Sequence, residues 1–218
     1  GELKTKPTQH SVKTLMESGI NADVLVCRTE HELSEDLRKK LALFCNVERE
    51  AVIQSLDADT IYDVPLMMFE EGLDKVVLER LGMDRNEKPD LTQWKSFLQR
   101  HKNPKSKVTI GLIGKYVELQ DSYKSILEAF VHAGAANEVH VEVMPLHSEH
   151  IEEGNAVDQI SDLDGVLVAP GFGERGIEGK INAIRYVREN NIPFFGICLG
   201  MQMAVIEFAR NVLKLKNA

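Results

Sequence analysis

The residues best suited to chemistry are Gly196-Ile197-Cys198-Leu199-Gly200, which follow the apolar run Pro193-Phe194-Phe195 and precede a helical pattern. A cysteine between glycines two residues away on either side, at a strand-to-helix junction, forms a nucleophile elbow. The glycines remove Cβ atoms that a turn this sharp cannot hold. Such a turn lifts the sulfur of Cys198 out of the core and sets it near a helix N-terminus, where the dipole and free N–H groups favour thiolate. A thiolate attacking an amide carbonyl also needs N–H groups aimed at the developing oxyanion. One is expected from Leu199, the residue after the nucleophile. A second is expected from Gly171, in the glycine turn Ala169-Pro170-Gly171-Phe172-Gly173. Cys27 and Cys45 lie in no such motif and read as small buried hydrophobes.

The elements that must position these groups alternate between strand and helix. Strands are expected at Lys107–Ile113, Val139–Leu146, Gly165–Val168 and Pro193–Cys198. Helices are expected at Ser122–Ala133, around the Ile177, Ile181, Ile184, Val187 stripe, and at Met201–Val212. Repeated βα units imply a parallel sheet covered on both faces, with sites at the carboxyl ends of the strands. The Cys198 elbow and the Gly171 turn both fall at such ends. Earlier in the chain, helices are expected at about Thr8–Ser18 (face Val12, Leu15, Met16, stop at Gly19), Ser34–Phe44 with Ser34 as N-cap, and Asp74–Leu81. Strands are expected at Asp23–Cys27 and Ala51–Leu56. The charged stretch Asp84–Lys107, with Pro89 and Pro104 and an amphipathic piece at Leu91, Trp94 and Leu98, reads as a linker containing a helix.

The 218 residues carry 26 basic and 34 acidic side chains, a net charge of −8. That argues against a general nucleic-acid or membrane-surface binder but leaves room for a local basic pocket. No apolar run is long enough to span a bilayer, and there is no signal-peptide pattern. Three widely separated cysteines indicate a reducing, cytoplasmic setting without a disulfide framework.

Gly-Ile-Cys-Leu-Gly-Met-Gln (196–202) resembles the nucleophile motif of class I glutamine amidotransferases. Gly1-Glu2-Leu3-Lys4-Thr5-Lys6-Pro7-Thr8-Gln9-His10-Ser11-Val12, Gly114-Lys115-Tyr116-Val117-Glu118-Leu119 and Gly171-Phe172-Gly173-Glu174-Arg175-Gly176-Ile177-Glu178-Gly179 together resemble the CTP synthase family. The resemblance runs through essentially the whole chain. It implies an α/β protein: the end of a P-loop-NTPase-like parallel-sheet synthetase domain (1–84), a linker (85–106) and the first half of a flavodoxin-like class I glutamine amidotransferase domain (107–218). It implies a ligase that aminates UTP to CTP with ATP and with ammonia from glutamine, through a thioester on the cysteine. Mg²⁺ serves ATP, GTP activates, CTP inhibits, and the active form is a homotetramer.

Carried onto this sequence, the resemblance makes Cys198 the nucleophile, Gly171 and Leu199 the oxyanion donors, and Gly200, Met201 and Gln202 part of the glutamine site. Lys4, Thr5, Lys6, Pro7, Thr8, Gln9 and Lys40 match residues that bind UTP or CTP; their charges and hydroxyls suit a triphosphate. Leu56, Asp57 and Ala58 match the place where the ATP base is held. Arg175, Gly176 and Glu178 match a loop linked to GTP activation, and Tyr116–Ser122 a mobile lid over the glutamine site. Where the family commonly has Pro-Gly-Gly-Phe-Gly, this chain has Ala169-Pro170-Gly171-Phe172-Gly173. Pro170 has no N–H, so Gly171 must donate. None of the seven histidines follows Cys198, where the family's order puts its triad histidine and glutamate. No Gly-x4-Gly-Lys-Ser/Thr loop occurs, and metal ligands are expected outside these residues. The chain does not begin with Met and opens inside a motif, so an internal segment is expected, one that by itself makes no CTP and hydrolyses glutamine feebly at most. Three alternatives stand beside this reading. One is another class I amidotransferase, such as one feeding anthranilate or carbamoyl-phosphate synthesis, against which Lys4–Val12 argues. Another is a cysteine hydrolase or redox-responsive protein of the same fold. The last is a non-catalytic assembly or nucleotide-binding module.

Overall fold

A computed structural model describes residues 3–84, 88–152 and 154–218. Gly1 and Glu2 of the opening motif and residues 85–87 of the expected linker lie outside the described residues. The chain forms two compact units, Gly1–Leu91 and Thr92–Ala218.

In the first unit, α1 (Lys6–Glu17), β1 (Leu25–Thr29), α2 (Glu35–Cys45), β2 (Val52–Leu56), α3 (Val64–Glu70) and α4 (Leu73–Arg80) follow in order. β1 and β2 pair in parallel, Leu25 opposite Val52. Ser34 caps α2 by accepting the Leu37 N–H (3.3 Å), and Gly19 takes φ +80° just past α1. Val12, Leu25, Leu41, Ala42, Cys45 and Val52 make the core. Of the face expected for α1, only Val12 is buried; Leu15 and Met16 remain exposed, because this unit has too few layers to cover the whole stripe. α3 was not apparent from the sequence: its Val-Pro-Leu-Met-Met-Phe run has no clear helical period. A bidentate pair locks the unit. Arg38 donates to Glu71 at 2.6 and 3.0 Å and to the Val52 carbonyl at 3.1 Å, and the Gln54 N–H donates to Glu71 at 2.9 Å. The Arg38 hydrogen bond, aided by that N–H, holds the Glu71 carboxyl below its ordinary range against the opposing effect of burial.

The second unit runs α5 (Thr92–Lys102), β3 (Ser106–Gly114), α6 (Lys124–Asn137), β4 (Val139–His147), α7 (Ala156–Ile160), β5 (Gly165–Val168), α8 (Ile177–Glu189), β6 (Phe194–Gly196) and α9 (Leu199–Asn211). Its sheet is parallel throughout in the order β4-β3-β5-β6. Side chains alternate across the strands and build a core on each face. Ile113, Val166 and Val168 face Ile181, Ile184, Val187 and Met203 on one side. Leu112, Leu167 and Ala169 face Tyr123, Ile126, Leu127 and Phe130 on the other. The expected Ile177 stripe is the inner face of α8. The helix expected within the linker is α5, and its Phe97 ring lies 5.2 Å from that of His132 on α6. β6 ends at Gly196, earlier than expected, because Ile197 and Cys198 turn out of the sheet into the elbow.

α8 and α9 are joined by a charge pair. Arg188 donates to both oxygens of Glu207 (2.8–3.1 Å), and the Glu207 side chain is 1% exposed. Removing the guanidinium leaves a buried carboxylate unpaired. Arg188→Ala should therefore cost about 3 kcal/mol or more in urea unfolding, whereas Arg188→Leu with Glu207→Leu should lie within about 1 kcal/mol of wild type.

Candidate active site

The elbow sits at the carboxyl end of β6. Cys198 adopts φ +50°, ψ −105°, outside the comfortable regions for a side-chain-bearing residue, and its thiol is free and exposed. Strain of this kind persists where its surroundings enforce it. Here the two glycines permit a backbone approach that nothing larger could. A Cβ on Gly196 would lie 2.6 Å from the Gly200 carbonyl carbon, and one on Gly200 would lie 2.2 Å from the Val168 oxygen. The Ile197 N–H donates to Val168 O (3.0 Å), tying the elbow to β5. The N–H groups of Gly200 and Gln202 turn to Ile197 O (2.9 Å) and Cys198 O (3.1 Å). Leu199 opens the helix, so its N–H has no intrahelical acceptor and forms part of the helix's positive end. Gly200 is buried, while Met201 and Gln202 are exposed on the first turn of α9.

The Gly171 turn leaves β5 beside the elbow. The Ala169 N–H donates to Ile113 O (2.9 Å), and a Cβ placed on Gly171 would lie 3.6 Å from Leu199 Cδ2. The two expected oxyanion donors thus belong to touching segments. Gly173 and Gly176 take the left-handed conformations (φ +74° and +73°) that carry the chain into α8. On a third strand end, the Tyr123 hydroxyl accepts the N–H groups of Lys115 (3.2 Å) and Tyr116 (3.3 Å), fixing the start of the 116–122 segment.

Two residues here were missed by the sequence reading. Lys180 is 0% exposed and donates to the Ala169 carbonyl (2.9 Å); Lys115 is 5% exposed and donates to the Phe172 carbonyl. Burial, with Lys115 nearby, pushes Lys180 down to about 8, while Cys198 acts in the opposite sense. The signal was present: position 180 lies three residues after Ile177 and four before Ile184, on the inner face of α8.

The remaining candidates are distributed as follows. Arg175 pairs with Glu149 (2.8 Å) and lies over the Tyr116 ring (5.9 Å), and Glu178 pairs with Arg210 (3.1 Å). Gly176 forms the N-cap of α8, where a Cβ would lie 2.2 Å from Ser148 Oγ. In the first unit, Thr5 is buried and its hydroxyl accepts from Gln9 Nε2 (3.0 Å), while Lys4, Lys6, Pro7 and Lys40 are exposed and Thr8 half-buried. α1, which begins at Lys6, and α2, which carries Lys40, share the core of this unit. Leu56 ends β2; Asp57 pairs with Arg28 (3.1 Å) and, with Ala58, Asp59, Asp63 and Glu70, lines a cavity of about 330 Å³. Cys45 is buried and Cys27 half-buried. Burial raises both thiols above their ordinary value, which makes them poor nucleophiles. Among the described residues no group of three or more His, Cys, Asp or Glu side chains could hold a metal ion, and no helix is long and apolar enough to cross a membrane.

Two family models match the chain: CTP synthase N-terminus over residues 1–83, and glutamine amidotransferase class-I over residues 118–218. A CTP synthase from Christiangramia forsetii is 73% identical over all of this chain and 40% of its own length. Along its whole length the chain is similar to CTP synthases. The CTP synthase of Methanocaldococcus jannaschii is 56% identical, again over the whole chain and 41% of its own length. The chain thus spans about 40% of the length of these CTP synthases. The glutaminase domain of Trypanosoma brucei CTPS with bound acivicin, a solved structure, is 42% identical, with a TM-score of 0.46, covering 49% of this chain and 42% of that one. The CTP synthase match over residues 1–83 lies outside the stretch matched by the class I amidotransferase model.

Two outcomes are expected. Gly200→Ala drives a Cβ into backbone, so the purified variant should lose Cys198-specific labelling together with a fall in thermal midpoint. Lys180 binds fewer protons when folded than when unfolded between pH 8 and 10.5. Wild-type stability should therefore rise relative to Lys180→Met across that window, by at most about 1.4 kcal/mol per pH unit. Urea unfolding at several pH values measures the difference; a constant difference would mean that Lys180 titrates normally.

Proposed function

We propose that these residues serve CTP synthesis: ATP-dependent amination of UTP to CTP with ammonia released from glutamine at Cys198. The observation that carries the reading is the strained Cys198 at the N-terminus of α9, beside the Gly171 turn and clear of side chains on both flanks. The Cys198 thiolate attacks the side-chain carbonyl of glutamine. The oxygen's charge is received by the N–H groups of Leu199 and Gly171, ammonia leaves, and water releases glutamate from the thioester. The thiol proton must reach the leaving nitrogen through a base. No histidine of this chain follows Cys198, so the base is assigned to no residue here.

In this reading residues 1–84 close a synthetase domain, 85–106 link, and 107–218 begin the glutaminase domain. Lys4, Lys6 and Lys40 attract the triphosphate of UTP or CTP, with Thr5, Pro7, Thr8 and Gln9 shaping the contact. The cavity at Asp57 and Ala58 is lined by carboxylates, which repel phosphate, so it suits the base end of ATP. Arg175, Gly176 and Glu178 answer to GTP; Arg175 already bridges Glu149 and Tyr116, linking that loop to the 116–122 segment. Mg²⁺ would accompany ATP; among the described residues no group of three or more His, Cys, Asp or Glu could hold it, and no step is assigned to it. A cytoplasmic homotetramer, binding neither nucleic acid nor membrane, completes the proposal.

The test is intact mass after incubation with an electrophilic glutamine analogue. One adduct is expected, located at Cys198 by peptide mapping and absent from Cys198→Ala. An adduct spread over Cys27 and Cys45, or suppressed by no excess of glutamine, would remove the glutaminase assignment.

A further inference from the structure

Lys115 and Lys180 are buried cations that form no ion pair with a described carboxylate; each donates to a main-chain carbonyl of the same turn. A buried ammonium without a counter-charge is costly, and such groups concentrate at functional sites. Lys180 reaches from the inner face of α8 to Ala169 O at 2.9 Å, and Lys115 reaches from the end of β3 to Phe172 O. The peptide between Pro170 and Gly171, which carries the Gly171 N–H, is held on both sides by these anchors. A Cβ on Gly171 would lie 3.7 Å from Lys180 Nζ, 3.4 Å from Lys115 Cε and 3.6 Å from Leu199 Cδ2, so the turn rests on both lysines and on the elbow. Pro170 sharpens the requirement: it offers no N–H of its own, so the aim of the Gly171 N–H depends on what fixes its neighbours.

We propose that Lys180 is a positioning residue for glutamine hydrolysis: it clamps the Ala169–Phe172 turn so that the Gly171 N–H meets the oxyanion, and its buried charge favours that oxyanion. The inference rests on the glutaminase reading above. A fixed cation and a fixed donor act together on developing negative charge, with no reorganisation when the bond forms. Met at 180 would fill the same space without the charge or the donor, and Arg would keep the charge.

The experiment compares two reagents on Cys198 in the natural polypeptide that carries these residues, with peptide-resolved mass spectrometry. Iodoacetamide alkylates the sulfur by displacement at carbon and needs no oxyanion site. A glutamine analogue with a chloromethyl ketone in place of the amide places its carbonyl oxygen in that site. For Lys180→Met the ketone rate should fall about 10- to 100-fold relative to the iodoacetamide rate, and Lys180→Arg should recover part of the ratio. An unchanged ratio in a folded Lys180→Met overturns the inference, as does a parallel fall in both rates. Lys180→Gln, which keeps a donor without the charge, is the third variant and should lower the ratio less than Lys180→Met; if none of the three folds, Lys180 is a core residue and the inference fails. A wild-type Cys198 that reacts with iodoacetamide but not with the ketone overturns the glutaminase reading itself, and this inference with it.

Discussion

The approach of Gly200 to the carbonyl of Val168 is the contact on which the second unit turns. A Cβ there would sit 2.2 Å from the oxygen, so the start of α9 can lie against the end of β5 only because position 200 has no side chain. That contact brings the helix N-terminus up to the sheet edge and forces the chain at Cys198 to reverse within a few residues at positive φ. The Ile197 N–H bond to Val168 and the Arg188–Glu207 pair between α8 and α9 hold the arrangement from either side. The strain at Cys198 is local; the packing that enforces it is distributed over α8, α9, β5 and β6.

The same geometry creates an electrostatic problem and resolves part of it. Three parallel strands end together, which gathers the Gly171 turn, Lys115 and the elbow at one edge. Parallel strands direct such sites to their carboxyl ends because helices cover both faces. Positive charge accumulates there: the N-terminus of α9, Lys115 and, beneath the turn, Lys180. No described carboxylate pairs with the two lysines, so their charge is met only by main-chain carbonyls. The depressed Lys180 reflects the cost of holding that charge in the resting protein.

The first unit is organised by a different device. Its two described strands and four described α-helices bury only a small core, and Leu15 and Met16 stay exposed. Arg38 and Glu71 instead tie α2, β2 and the end of α3 through one bidentate pair supplemented by main-chain partners. The basic residues Lys6 on α1 and Lys40 on α2, and Lys4 just before α1, are left exposed.

The elements of both units were largely legible in the sequence, because their signals are local. Alternation marked β4, apolar runs marked β3 and β5, the Ile177 stripe marked α8, Ser34 marked a helix start, and the Gly-x-Cys-x-Gly spacing marked the elbow. α3 was not legible because an unbroken apolar run carries no period, and β6 was overextended because the elbow begins where the hydrophobic signal is still strong. The sequence by itself determined that Cys198 must occupy a sharp strand-to-helix turn and that Pro170 cannot donate. Only the tertiary structure decided which groups surround them. Helical spacing puts Lys180 on the inner face of α8, but that it meets the Ala169 carbonyl there is decided by packing, since a side chain's neighbours across a sheet are fixed by strand order and register rather than by its place in the chain.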